Sequence, residues 1–214
     1  MTTKIIIVRH GETVGNRLGV LQGWLGGRLT RLGKTQVEKN AELLKGEHAS
    51  HVFSSDLQRA KDTARAIAKY HSVPVEFVRE LREINAGILQ GLSFKKARRL
   101  HNEVVTAKRQ DKYNYRTPSG ENYEDVKKRV SKFLDRLKHF RGQTVIIVAH
   151  EAVNRVLLQL LLRLSNEETV SISQPHECIY VVERKKGKKQ AYKIIKGNKS
   201  KGLITTKRKQ YKNL

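Results

Sequence analysis

The chain has 214 residues, and 38% hydrophobic residues are enough for one domain with a full core. Its formal charge of +24 attracts polyanions non-specifically, but the sequence has no zinc-finger spacing or RNA-binding signature, so charge alone does not indicate sequence-specific nucleic-acid recognition. The single cysteine, Cys178, excludes an intrachain disulfide and suits a reducing compartment; we expect a buried apolar filler. No apolar run has the length of a signal peptide or a membrane span, so we expect a soluble cytoplasmic protein.

The first half of the chain alternates short apolar runs with segments of helical spacing. Residues 4–8 form a β-branched run without alternation, which is typical of a strand buried on both faces. A glycine-rich loop over residues 15–27 then leads to Thr30, whose hydroxyl predicts a helix cap. The predicted elements are strands at 4–8, 51–54 and 75–78, and helices from Thr30 to about Leu44 and over 57–70.

The second half continues the alternation and ends in a hairpin. Residues 122–140 predict an amphipathic helix, because Val126, Val130 and Phe133 recur on one face. The run 144–149 is the strongest buried-strand signal in the chain. The other predicted elements are a basic helical segment at 93–112, a helix at 153–164, and hairpin strands at 179–183 and 191–195 joined around Gly187.

This alternation predicts an α/β fold, with a mostly parallel central sheet between layers of helices. From residue 198 onward lysine and arginine dominate with few apolar partners. We therefore predict one domain over residues 1–197 and a flexible basic tail over 198–214.

Chemically reactive side chains follow the predicted strands at their carboxyl ends. Arg9 and His10 follow the first strand, Arg59 comes shortly after the second, Glu83 follows the third, and His150 follows the run 144–149. Because ligands of open α/β sheets bind beyond the carboxyl ends of the strands, we expect these five residues to converge.

The composition of this group favours phosphate chemistry. Two arginines and one carboxylate disfavour a metal site, whereas planar guanidinium groups bind an anion with several oxygens. We interpret His10 as a nucleophile that attacks phosphorus and Glu83 as the proton donor that later activates water. Arg9, Arg59 and His150 would neutralise the phosphoryl oxygens. Taken singly, each of these residues is more often structural, and only the joint pattern supports a site.

Several segments strengthen this interpretation through a family resemblance. The segment Val-Arg-His-Gly-Glu-Thr at 8–13, followed by Asn16 and Gln22, resembles the signature of the histidine phosphatase superfamily, in its phosphoglycerate mutase-like branch. Segments at 54–60, 81–84, 118–121 and 145–150 are similar to further landmarks of that family, in the same order. The resemblance covers roughly residues 4–197.

The resemblance implies a three-layer αβα sandwich and a metal-independent mechanism without a cofactor. It also implies phosphate contacts from a specific set of side chains, namely Arg9, Asn16, Gln22, Arg59 and His150.

Three positions depart from the family pattern. Gly26 and Arg28 replace an aspartate and a proline, Gln90 replaces an acidic residue, and Glu151 replaces a glycine. An inward Glu151 would repel phosphate and raise the pKa of His150. We expect it to face away instead, at a helix N-terminus where a carboxylate is favourable.

Other polar groups have simpler interpretations. The basic face of the segment 93–112 is a candidate lid that steers substrate, and it comprises Lys95, Lys96, Arg98, Arg99, Lys108 and Arg109. The remaining histidines are interpreted as surface or packing residues, namely His48, His51, His71, His101, His139 and His176.

Together these features predict a phosphomonoesterase for a small phosphorylated metabolite. A phosphoglycerate mutase, the first alternative, must exclude water, and the short polar stretch 92–117 is poorly suited to that. The second alternative is a weakly active phosphate- or nucleic-acid-binding protein, with non-specific contact to nucleic acid or anionic surfaces through the basic tail.

Overall fold

The computed structural model of the protein describes residues 3–185 and 188–206. Its strands are β1 (Lys4–Arg9), β2 (Ala49–Ser55), β3 (Val75–Val78), β4 (Thr144–Ala149), β5 (Cys178–Lys185), β6 (Lys188–Ile195) and β7 (Asn198–Lys201). Its α-helices are α1 (Val14–Arg17), α2 (Arg31–Leu44), α3 (Gln58–Ala68), α4 (Phe94–Leu100), α5 (Asn102–Gln110), α6 (Tyr123–Arg136), α7 (Glu151–Leu162) and α8 (Asn166–Ser171). Short 3-10 helices span Arg79–Leu81, Gly87–Leu89 and Leu137–Phe140.

The seven strands form one sheet in the order β3-β2-β4-β1-β5-β6-β7. The pairings among β3, β2, β4 and β1 are parallel, whereas those of β1 with β5, β5 with β6 and β6 with β7 are antiparallel. The predicted α/β fold and its terminal hairpin are confirmed. The sheet is more mixed than predicted, because the tight connections after β5 permit only antiparallel neighbours.

Helices cover both faces of this sheet, as alternate residues of the central strands show. Ile5 and Ile7 of β1 belong to a buried cluster with α6 and α7, while Ile6 and Val8 pack with α2 and α3. The three-layer αβα arrangement is therefore confirmed. Cys178 is fully buried at the start of β5, as expected of an apolar filler.

The helices differ from the prediction in two places. The segment 93–112 is two helices, because the backbone leaves the helical region at His101, with φ −139° and ψ 48°. Ser93 caps the first of the two through Lys96 N. Helix α8 was not predicted, although Ser165 and Glu168 form a capping box at its start.

The prediction of a tail beginning at residue 198 was wrong for residues 198–206. The segment 198–201 pairs with β6 as an exposed edge strand, and Thr205 forms a bridge with Ile172. Main-chain hydrogen bonds do not require apolar side chains, and lysines are common on edge strands because they discourage further pairing. Residues 207–214 of the predicted tail, and Gly187 of the predicted hairpin turn, lie outside the described residues. Within the described ranges, no helix has the length and apolar character needed to cross a bilayer.

Candidate active site

The predicted site residues converge at the carboxyl edge of the parallel strands. Arg9 is the last residue of β1 and His10 the next, while His150 directly follows β4, which pairs with β1. The His10 and His150 ring centroids are therefore only 5.0 Å apart. Arg59 lies in the first turn of α3, after β2, and Glu83 lies in the loop after β3.

The tautomer of His10 is determined by its neighbour. His10 Nδ1 lies 2.8 Å from the main-chain oxygen of Gly11, which can only accept, so Nδ1 carries the proton. Burial, and then the charges of Arg59 and Arg9, hold the pKa of His10 well below its usual range. The ring is consequently neutral at neutral pH, with the lone pair on Nε2 as the nucleophilic atom.

The tautomer of His150 is determined in the opposite sense. Its Nε2 lies 2.9 Å from Ser55 Oγ, which already accepts a hydrogen bond from Leu57 N. The Ser55 hydroxyl therefore donates to Nε2, and Nδ1 carries the proton. Burial and the charge of Arg59 lower the pKa of His150, so it is a neutral donor through Nδ1.

Arg59 is almost fully buried and shapes the glycine-rich loop. Its Nη1 donates to Leu25 O and its Nη2 donates to Gly23 O, each across 2.8 Å. Burial lowers its pKa to about 10, so the guanidinium remains charged at neutral pH. Gln90, one of the departures from the family pattern, supports the same loop by accepting from Trp24 N.

Three buried donors of this group have no hydrogen-bond partner in the described part of the chain: Nε of Arg9, Nε of Arg59 and Nδ1 of His150. Arg9 is held from its other end, because its Nη1 donates to Gln174 O at 2.8 Å. Buried donors are normally satisfied, so this set is suited to an anion with several oxygens. Among residues 3–185 and 188–206, no group of three or more His, Cys, Asp or Glu side chains is arranged to hold a metal ion.

Glu83 has the protonation behaviour of an acid. Burial raises the pKa of its carboxyl group, against the opposing effects of the Ile84 main-chain N–H and the charge of Arg59. The negative charge of Glu151 adds to the increase. Glu83 therefore keeps its proton to a higher pH than an exposed glutamate does.

The loop that carries Glu83 is fastened by several long side chains. Glu83 O accepts from Trp24 Nε1 at 2.7 Å and from Arg129 Nη2 at 3.1 Å. Arg129 also pairs with Glu121, which accepts from Asn85 N. The landmark at 118–121 thus holds the proton-donor loop in place, a role that its sequence did not indicate.

Asn16 and Gln22 lie in the loop after His10, with their carbonyl oxygens already engaged. Thr13 Oγ1 lies 2.8 Å from Asn16 Oδ1 and 3.0 Å from Gln22 Oε1. The amide nitrogens remain as donors. Their contact with a phosphate stays a prediction.

The expectation that Glu151 faces away from the site was wrong. Its Oε2 lies 3.4 Å from Arg9 Nη1, and its Oε1 lies 2.7 Å from Arg155 Nη2. The residue begins α7 immediately after β4, where these two cations attract its carboxylate. The pKa of His150 is lowered rather than raised, because burial and Arg59 dominate.

His176 belongs to the site, although it was interpreted as a surface or packing residue. Its Nδ1 lies 2.6 Å from His10 O, and the two ring centroids are 5.5 Å apart. Burial, and then the charge of Arg9, lower its pKa to about 4, so it is neutral. The predicted hairpin contained a usable signal, since the start of an antiparallel neighbour of β1 lies at the carboxyl edge of β1.

A second group of cations adjoins the first, which we call the cation group: Lys108, Lys112 and Arg155. Lys108 donates to Thr117 Oγ1 at 2.8 Å, and Lys112 donates to Val170 O at 3.0 Å. Burial, and then the charge of Arg155, lower the pKa of Lys112 to about 8. Only Lys108 was predicted as part of a basic face; the exposed members of that face include Lys95, Lys96, Arg98 and Arg99.

Comparisons with known proteins agree with this geometry. The sequence matches the model of the histidine phosphatase superfamily (branch 1) over residues 5–195. A metal-independent phosphoserine phosphatase of Arabidopsis thaliana is 38% identical over 159 residues, 72% of this chain and 67% of that protein. A 6-phosphofructo-2-kinase/fructose-2,6-bisphosphatase of Gallus gallus is 32% identical over 77% of this chain, but the match spans only 34% of that longer protein. The structure of a mycobacterial glucosyl-3-phosphoglycerate phosphatase superposes with a TM-score of 0.78 at 26% identity, covering 86% of this chain and 91% of that chain.

Proposed function

The chain belongs to the histidine phosphatase superfamily, and on that premise we propose that it is a phosphomonoesterase that hydrolyses a small phosphorylated metabolite through a phosphohistidine on His10. The observation that carries this proposal is the pairing of a neutral His10, whose free atom is Nε2, with three unpartnered buried donors. A nucleophile beside an anion site is the arrangement that covalent phosphoryl transfer requires.

In the first step, His10 Nε2 bonds to phosphorus as the ester P–O bond breaks. Glu83, protonated because burial raises its pKa, gives its proton to the departing oxygen and leaves as carboxylate. The products are a free alcohol and a phosphohistidine.

In the second step, the Glu83 carboxylate takes a proton from water. The resulting P–O bond replaces the P–N bond, inorganic phosphate leaves, and His10 returns to its neutral form. Both residues are then in their starting protonation states.

Arg9, Arg59 and His150 act throughout by opposing the negative charge on the phosphoryl oxygens. Their donors are already in position, so little reorganisation accompanies the reaction. The Ser55 hydroxyl maintains this arrangement by keeping the proton of His150 on Nδ1.

The test compares wild type with His10→Ala on a panel of phosphate esters, measured as phosphate release. His48→Ala is the control, because His48 is exposed and distant in sequence from every site segment. We expect loss of activity in the first variant only. A labelled phosphohistidine should also accumulate in wild type after rapid quenching in base, where this linkage survives. Equal phosphate release by wild type and His10→Ala would refute the proposal.

A second candidate is hydrolysis of a bisphosphate, and the cation group favours it. Lys108, Lys112 and Arg155 provide charges beyond those needed for one phosphate, and one relative is named a fructose-2,6-bisphosphatase. Lys112→Ala should then raise KM for fructose 2,6-bisphosphate at least about tenfold, while Lys132→Ala should not. An unchanged KM would remove this candidate.

A further inference from the structure

We propose that Glu151 forms, with Arg155 and Lys112, a leaving-group subsite that recognises a hydrogen-bond donor, either a hydroxyl or an ammonium group, next to an anionic group on the substrate. This inference rests on the proposed function, since it concerns the alcohol that the same site releases.

The position of Glu151 places its carboxylate between two guanidinium groups. Its Oε2 is 3.4 Å from Nη1 of Arg9, which contributes to the phosphate site, and its Oε1 is 2.7 Å from Nη2 of Arg155, in the cation group. The side chain retains 27% exposure, so a ligand can reach it. Glu151 therefore links the phosphate site to the cation group.

The same contacts place Glu151 on the side from which the alcohol departs. Arg155 Nη1 donates to Tyr123 OH at 3.0 Å, and the charges of Glu83 and Glu151 both act on that hydroxyl. Glu83 is the proton donor to the leaving oxygen, so groups near it lie close to the leaving group.

A carboxylate beside a phosphate site needs a compensating partner. The 3.4 Å contact with Arg9 is long for a hydrogen bond, and a bound phosphate competes for that guanidinium. Glu151 has acceptor capacity beyond its contact with Arg155, because a carboxylate offers about four lone-pair sites. A hydroxyl or an ammonium group on the substrate satisfies that capacity, and the ammonium group also balances its charge.

The cations beside Glu151 define the second half of the subsite. Lys112 lies close enough to Arg155 and Glu151 for both charges to affect it, and its Nζ is anchored on Val170 O. An anionic group on the substrate can pair with Lys112 and Arg155 while the adjacent donor faces Glu151. The class of leaving group is therefore a small acid that carries an amino or hydroxyl group beside its carboxylate.

Three esters with the same carbon skeleton test this directly: O-phosphoserine, 3-phosphoglycerate and 3-(phosphonooxy)propanoate. They carry an ammonium group, a hydroxyl group and a hydrogen at the same carbon. We expect kcat/KM for at least one of the first two to exceed that for the third by about tenfold or more. The preferred member identifies the donor as ammonium or hydroxyl.

Two variants assign the preference to Glu151. Glu151→Ala should reduce the preferred ester to the level of the propanoate ester. Glu151→Gln, which keeps an acceptor but no charge, should lose more activity with O-phosphoserine than with 3-phosphoglycerate. Glu38→Gln, which removes an exposed charge on α2, should leave all ratios unchanged.

The possible failures are distinguishable by a substrate without a recognised leaving group, p-nitrophenyl phosphate. If wild type hydrolyses it in a His10-dependent manner but does not discriminate among the three esters, the subsite is overturned and the proposed function stands. The same ester ratios in wild type and Glu151→Ala would also overturn the subsite. Absence of His10-dependent phosphate release from any ester would overturn the proposed function itself.

Discussion

The imidazole of His176 donates a hydrogen bond from Nδ1 to the main-chain oxygen of His10, across 2.6 Å. Because a carbonyl oxygen can only accept, this contact also leaves His176 Nε2 without a proton in the neutral ring. The main chain of His10 is thereby held from both sides, since its own N–H donates to Ala149 O in β4.

Replacing His176 tests whether this contact positions the nucleophile. We expect His176→Ala to lower kcat about 3- to 10-fold, the cost of one modest hydrogen bond, with a smaller effect on KM. Asparagine carries an amide N–H near the position of histidine Nδ1, so His176→Asn should restore most of kcat. Equal kcat values for the alanine and asparagine variants, at similar thermal stability, would show that the contact has no positioning role.

Glu83→Gln should affect substrates according to their leaving groups. Glutamine cannot protonate an alkoxide, so alkyl phosphates should lose about 10²- to 10⁴-fold in kcat. p-Nitrophenolate leaves without a proton, and its ester should form the phosphohistidine at nearly the wild-type rate. A burst of p-nitrophenol from the variant, measured by stopped-flow absorbance, checks this; a uniform loss across both substrate types would contradict it.

The raised pKa of Glu83 predicts a falling alkaline limb in the pH profile of kcat/KM. The protonated form is the active acid, so activity with alkyl esters is lost as pH rises through that raised pKa. The charge of Glu151 contributes to the increase, and Glu151→Gln should therefore move the limb to lower pH. A limb that stays in place or moves to higher pH in this variant would contradict the assignment.

Ser55→Ala should disturb His150 without touching the substrate. Removing the hydroxyl leaves Nε2 of His150 as a buried acceptor without its donor, at a cost of about 1–3 kcal/mol, or roughly 10- to 100-fold in kcat/KM. Ser50→Ala is a matched control, because Ser50 Oγ donates to Thr144 O at the other end of β2. Steady-state kinetics on both variants decides the matter, and similar losses in the two would disprove the role.

Gly33→Ala should destabilise the protein and disturb the loop after His10. A Cβ atom at this position would lie 2.0 Å from the main-chain oxygen of Glu12, so the backbone must shift. We expect the free energy of unfolding to fall by about 1–3 kcal/mol despite the better helix propensity of alanine. Gly46→Ala, where nothing lies within 4 Å of the new atom, should leave thermal unfolding nearly unchanged. Matching melting temperatures for the two variants would contradict this packing.

The positions of the site residues were predictable from the sequence because they depend on strand ends. His10 and His150 follow two buried runs, and once those runs pair in parallel, their carboxyl ends lie side by side. His176 was missed because the rule was applied to parallel strands alone, whereas an antiparallel strand brings its first residues to the same edge. The segment 198–201 was missed because its pairing depends on main-chain groups, which leave no apolar pattern.

The sequence by itself determined the chemistry that this protein carries: two histidines, two arginines and a carboxylate at the ends of recognisable elements, in the order of one family. Only the tertiary structure decided how those groups act. The proton of His10 lies on Nδ1 and that of His150 on Nδ1 with Nε2 satisfied, because Gly11 O and Ser55 Oγ are their neighbours. Glu151 turns toward the site for the same kind of reason, since Arg9 lies across from it. Hydrophobic periodicity is a local property, whereas the partner of a buried polar group is selected by packing between residues far apart in the chain.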